Sequence, residues 1–322
     1  MSLPDSHFTC RNTFFVTLIL TVNGPETIWL LADRRLTYER QKPKDDARKV
    51  MFLETTDGVA ILGYAGLGAT ARGTEPADWM SAVLRGRNLP LEQSLTVLTE
   101  ALKREFPRHM AKMPGTRIHS VMVPAFLGEE VRLYEIDLVI EPDGKQYFRY
   151  TRHVVNPPPA KLRTPRLALA GSGALHLAKN RKWIRGLLRI VNASDRRQVQ
   201  TLAVADHLAN LNHEVHLADK MVGPNCIVAW RHRKGGVHEG GGAHQLYSGT
   251  TRDFGRDFSS ASSLPTILTG TDLNALVTAT VVPYAKKMMA AMRDRQPLPE
   301  MNVDEMNAIL ARLPDKPDEN LR

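Results

Sequence analysis

Between residues 13 and 64 the apolar positions come in short runs separated by polar turns, the pattern of strands rather than helices. β-branched residues and phenylalanine carry the run 13–22, the turn Asn23-Gly24-Pro25-Glu26 closes it, and 28–32 reads as a second strand. Pro25 follows Asn23-Gly24, so the hairpin loop is expected to exceed two residues. Residues 37–47 are charged and are expected to form a loop; strands 49–53 and 59–64 follow, joined by Thr55-Thr56-Asp57-Gly58. After Gly63-Tyr64-Ala65-Gly66-Leu67-Gly68 the period changes. Trp79, Met80, Val83 and Leu84 make one helical face; Pro90 suits a first helical turn, and Leu91, Leu95, Leu98, Leu102 and Phe106 recur at helical spacing. Strand signals return at 119–127, 131–140 and 146–153, with Glu141-Pro142-Asp143-Gly144 as the turn between the last two.

The second half repeats this order. A proline-rich stretch, 156–165, leads to a short strand, 166–170, and Gly171-Ser172-Gly173 opens a helix predicted over 174–191. Ser194 or Asp195 is placed to cap a further helix running to about residue 212, and 225–233 reads as a strand. Strands in succession and helices in succession argue for packed sheets with helix pairs outside, not for alternating βαβ units. Residues 235–249 are glycine-rich and hold His238 and His244; Glu239 is the only acid nearby, no ligand spacing stands out, and no metal or cofactor is expected. A helix over 272–293, interrupted at Pro283, and a shorter one over 302–313 are predicted beyond.

Composition narrows the class. At 322 residues, with 43% hydrophobic and 24% charged, the chain suits one large domain or two smaller ones. The longest apolar stretch, 14–22, is too short for a bilayer, and no membrane span is expected. Asp5 precedes that stretch without a basic region, unlike a secretory signal. Two cysteines, Cys10 and Cys226, make no disulfide framework, and a cytoplasmic location is the expectation. The net charge of +9 raises the question of nucleic acid. Trp183 is the only Phe, Tyr or Trp within the basic clusters 179–189 and 231–234, so a solvated basic face is expected rather than a stacking surface for RNA.

Candidate chemistry lies at the strand ends. Thr17, Asp33 and Lys49 are spaced 16 and 16 residues apart, so a hydroxyl, a carboxylate and an ammonium can meet in one site. With Asp33 and Arg35 in "ADRRLT", Lys49 after the loop, Gly63 in "LGYAGLGA", Ser172 in "AGSGA" and Asp219 in "LADKMVGPNC", residues 17–235 resemble the proteasome β-type family of N-terminal nucleophile hydrolases.

The resemblance implies a four-layer αββα sandwich, with 1–16 as leader, propeptide or misannotated start and 236–322 as a glycine-rich linker with a helical extension. It also implies a cytoplasmic threonine peptidase acting on peptides or unfolded protein and assembled as a homo-oligomeric ring; whether a regulatory ATPase joins it is not specified. Thr17 would attack the scissile carbonyl, its own α-amine taking the proton. Lys49 would favour the alkoxide, Asp33 would orient Lys49, and the Gly63 N–H would donate to the oxyanion. Ser172 and Asp219 would steady the amine. The sequence departs from the family in two places: Val222 stands where a second serine is expected, and Thr17 follows Val16 rather than glycine. Initiation at a valine codon for Val16 would place methionine there, and its removal before the small threonine would expose Thr17, leaving 1–15 as an artefact of gene calling. Each residue also has a structural reading: Thr17 as a strand residue, Asp33 and Lys49 as an ordinary ion pair, Gly63 as a packing glycine, and Gly171-Ser172-Gly173 as a helix cap. The rival functions are a non-catalytic ring subunit, a small-molecule amidase and, on charge alone, a nucleic-acid binder.

Overall fold

The computed structural model describes residues 17–38, 41–66, 75–110, 119–153, 165–179, 181–194, 201–233, 246–248, 264–300, 304 and 308. The first hairpin joins β1 (Ile19–Asn23) to β2 (Thr27–Asp33), with Asn23 opposite Ile28 and Gly24 N–H bonded to the Thr27 carbonyl. β10 (Arg166–Ala170) flanks β1, and β11 (Cys226–His232) flanks β2. β12 (Leu246–Ser248) completes this antiparallel sheet in the order β10-β1-β2-β11-β12. The second sheet is built on β5 (Val50–Glu54), β6 (Gly58–Ala65), β7 (Ser120–Leu127), β8 (Glu130–Ile140) and β9 (Gln146–His153). Beyond β5 it gains β13 (Thr266–Leu268), parallel to β5, and then β14 (Thr271–Asp272).

Side-chain alternation sorts each strand between two cores. Ile19, Ile28 and Leu30 of the first sheet share one core with Phe52, Ile61, Met122 and Phe126 of the second. On the other face of the second sheet, Met51, Leu62 and Val121 pack against α1 (Pro76–Leu84) and α2 (Leu91–Met110), where the predicted stripe Leu91, Leu95, Leu98 and Leu102 is fully buried. On the other face of the first, Leu18, Leu20, Val22, Trp29 and Trp230 pack against α3 (Ser172–Lys179), α4 (Lys182–Ser194) and α5 (Thr201–Ala218). With both faces covered, β1 and β2 need apolar side chains on each side, which is why they read as continuous apolar runs. The fold is mixed α+β.

Several predicted elements differ in extent. The charged loop 37–47 contains the strands β3 (Leu36–Tyr38) and β4 (Gln41–Lys44), a two-stranded ribbon anchored by buried Leu36. The single helix predicted over 174–191 is two. Trp183 Nε1 donates to the Leu177 carbonyl at 2.9 Å, satisfying an end group of α3 that a continuous helix would have used itself. α5 runs on to Ala218, well past residue 212. The C-terminal helix breaks at Thr280, not at Pro283: α6 (Leu273–Ala279) ends there and Pro283 lies in the first turn of α7 (Val281–Arg293), where its missing N–H costs nothing. The expected strand 13–16, the cap Asp195, His238, His244 and most of 302–313 lie outside the described residues.

Candidate active site

Three polar side chains converge where β1, β2 and β5 begin or end. Thr17 enters β1, Asp33 closes β2, and Lys49 immediately precedes β5. Their relative exposures are 1%, 0% and 4%. Lys49 Nζ lies 2.6 Å from Thr17 Oγ1 and 3.2 Å from Asp33 Oδ1, and the threonine hydroxyl also donates to Asp33 Oδ1. Leu18 N–H donates to Asp33 Oδ1 at 2.8 Å, while Arg35 N–H and Gly223 N–H donate to Oδ2 at 3.0 and 3.1 Å. A carboxylate held by this many donors keeps its orientation without exposure to water. Burial pushes the Lys49 pKa down from its ordinary value, and the charge of Asp33 and its hydrogen bond oppose that shift. The arrangement can therefore present a threonine oxygen to a nearby amine and keep a positive charge against an alkoxide.

The helix-opening turn closes over the same threonine. Gly173 N–H donates to the Thr17 carbonyl at 3.2 Å. Gly171 has φ +92°, and a Cβ there would lie 2.1 Å from the Thr17 carbonyl oxygen, so only glycine fits. Ser172 sits between them; its Oγ is buried and has no hydrogen-bond partner among the described residues. Gly63 lies in β6 opposite Val50, and Tyr64 N–H next to it donates to the Lys49 carbonyl at 3.0 Å. A Cβ on Gly63 would come within 2.7 Å of the Leu30 side chain, so packing between the sheets already requires glycine. Asp219 follows the end of α5. Its Oδ1 accepts from Met221 N–H at 2.9 Å, and the turn it closes delivers Gly223 N–H to Asp33. Val222, the departure from the expected serine, is fully buried in the core beneath α5.

Some participants escaped sequence reasoning. Gly223, Asn225 and Asp45 hold the polypeptide around Asp33, and their only sequence signal was proximity to "ADRR" and "VGPNC", which requires knowing that the segments meet. Among the described residues no group of His, Cys, Asp and Glu is placed to hold a metal. No described helix is long and apolar enough to cross a membrane.

No family model matches the chain, and no curated protein matches it. Among similar solved structures, Anbu (ancestral beta-subunit) from Yersinia bercovieri is 13% identical, covering 76% of this chain and 92% of its own, with a TM-score of 0.44. Anbu from Hyphomicrobium sp. strain MC1 is 13% identical over 77% of this chain and 94% of its own, also with a TM-score of 0.44. A helical assembly of the Anbu complex from Pseudomonas aeruginosa is 14% identical over 88% and 98%, with a TM-score of 0.42. Likeness at this level carries no argument about activity. These proteins are Anbu and not proteasome β-type subunits, and with no family model in support the expected membership in the proteasome β-type family is withdrawn. The motifs behind that expectation are short, and packing alone selects some of them: Gly63 answers to Leu30 and Gly171 to Thr17.

Proposed function

We propose that this chain is an N-terminal-nucleophile amide hydrolase with Thr17 as nucleophile, acting on peptide bonds, and that its sheets and helices form an αββα sandwich spanning about residues 17–235 with an extension over 236–322. The observation that carries the reading is the contact of Lys49 Nζ with Thr17 Oγ1 at 2.6 Å, beside a fully buried Asp33. In the proposed reaction Thr17 Oγ bonds to the substrate carbonyl carbon as its proton passes to the threonine α-amine. That proton then goes to the leaving amine as the C–N bond breaks, and water hydrolyses the resulting ester. Lys49 favours the developing alkoxide and Asp33 orients Lys49; the N–H of Gly63 serves the oxyanion, and Ser172 and Asp219 act near the amine. This chemistry needs a free amine on Thr17, hence removal of whatever precedes it.

Mass spectrometry after incubation with a threonine-directed electrophile tests the reading. Label on Thr17 in the wild type and none in Thr17→Ala is the expected result. Absence of label, with residues 1–16 retained in protein from the native host, would sink it. One observation favours a second reading, a non-catalytic scaffold: Thr17 is 1% exposed. Homo-oligomerisation is proposed alongside either reading because α7 turns Val281, Val282, Met289 and Met292 to solvent; sedimentation analysis tests it.

A further inference from the structure

The segment leading to Lys49 is tied to the end of β2 at every residue from Asp45 to Ala47. Arg35 grips Asp45 through two parallel hydrogen bonds, Nε to Oδ1 at 2.6 Å and the terminal nitrogen to Oδ2 at 2.8 Å. Arg35 also donates to the Lys220 carbonyl, so the same guanidinium holds the turn that brings Gly223 to Asp33. Gly223 can lie against this arginine only because it lacks a side chain: a Cβ would sit 2.8 Å from Arg35 Cβ. Asn225 Nδ2 donates to the Asp45 carbonyl at 3.1 Å. Arg34 donates to the Asp46 and Ala47 carbonyls, and Ala47 N–H returns a bond to the Arg34 carbonyl at 3.1 Å. Two residues beyond Ala47 stands Lys49.

We propose that Arg35 and Asp45 form a charge-balanced clasp that positions Lys49 against Thr17 and Asp33 and cancels the field each would impose on the lysine alone. They are positioning residues; neither touches Thr17. The catalytic meaning of the clasp rests on the reading of Thr17 as a nucleophile, but its effect on Lys49 does not. Two features support the pairing. A bidentate arginine–carboxylate contact fixes direction as well as distance, which a lysine in that place would not do. The charged groups acting on Lys49 are Asp33 from β2, Asp45 from the preceding segment and Arg35 from the end of β2; both carboxylates favour the ammonium and the guanidinium opposes it.

Opposite signs follow for the two partners. Asp45→Asn leaves Arg35 uncompensated and disfavours the Lys49 ammonium, so its titration moves to lower pH. Arg35→Gln removes the opposing cation, so the titration moves to higher pH. Each shift is expected on the order of half a pH unit. Arg35→Gln/Asp45→Asn is neutral again and returns the titration to the wild-type position. A merely structural buckle would move both single variants the same way.

The measurement is the titration of Lys49 by NMR in lysine-labelled full-length protein, assigned by the signal missing from Lys49→Arg, with thermal unfolding to establish that each variant is folded. Opposite shifts in the single variants, cancelled in the double, are the expected result. Shifts of one sign, or none, overturn the clasp. If one single variant does not fold, the other is compared with the double, and the predicted sign between those two decides. Electrophile labelling of Thr17 on the same samples reports separately on the nucleophile. Opposite shifts keep the clasp whether or not Thr17 is labelled, and the nucleophile reading falls only to missing label in protein from the native host that retains residues 1–16.

Discussion

Arg48 and Lys49 are neighbours in sequence and live in different media. The Lys49 side chain is 5% exposed, against Asp33 at 0%; the Arg48 side chain is 35% exposed, against Asp78 at 30%. Consecutive residues of an extended chain point to opposite sides, so one cation turns into the interior and the next meets solvent at the start of α1. Arg48 binds Glu75 and Asp78, and Glu75 also takes Lys44 at 2.6 Å. That outer network has more ion pairs but less at stake, because water screens each charge and can replace each partner. The inner pair has no such replacement: removing one member strands the other in the interior. The number of ion pairs is therefore a poor guide to importance here, and burial is a better one.

The most severe way to break this contrast is Lys49→Met. It leaves the Asp33 charge with backbone N–H donors and the Thr17 hydroxyl but no cation, for a loss of about 3–5 kcal/mol in urea unfolding. Under the proposed chemistry Thr17 labelling also falls by roughly a hundredfold or more. Gly171→Ala attacks the same interior from the helix side. Its φ of +92° and the 2.1 Å approach to the Thr17 carbonyl predict roughly 2–4 kcal/mol of destabilisation, read from the same unfolding experiment.

A smaller effect sharpens the contrast through pH. Cys226 pairs with Asp33 across β11 and β2, and burial, aided by the Asp33 charge, pushes its thiol from 9.0 up to about 12. The folded-state value is raised, so the stability contribution is full below 9.0 and is lost as pH climbs toward about 12. The stability difference between wild type and Cys226→Ala should shrink across that window. A difference that stays level would mean that the interior around Asp33 is wetter than the structure shows. The smallest effect belongs to the outer network. Arg48→Met should cost about 1 kcal/mol or less and leave Thr17 labelling unchanged. A loss comparable to that of Lys49→Met would erase the distinction between the two neighbours.

Much of this was legible along the chain, and the misses share a cause. α2 follows local periodicity because it buries one continuous stripe, and β5, β6 and β7, buried on both faces, read as apolar runs bounded by turn residues. The break between α3 and α4 and the end of α6 at Thr280 did not show. Apolar periodicity runs through both points, and an indole bond to the Leu177 carbonyl marks the first. β12, β13 and β14 are two or three residues long and carry no pattern of their own; pairing with β11 and β5 makes them strands. In the candidate site, Thr17, Asp33 and Lys49 stood out by type and spacing. Asp45 and Gly223 did not, since each matters through a contact that only the fold makes, Asp45 with Arg35 across the intervening ribbon and Gly223 with Asp33, 190 positions away.

What the sequence by itself determined is the longer strands and helices and the placing of a hydroxyl, a carboxylate and an ammonium at strand ends, because side-chain period and turn chemistry are local. Tertiary structure alone decided which neighbour turns inward, which glycines lie against Thr17 and Arg35, and which carboxylate balances which cation. Those outcomes depend on strand register and on approaches of a few ångströms between distant segments, where burial, rather than residue type, sets the energy of a charge.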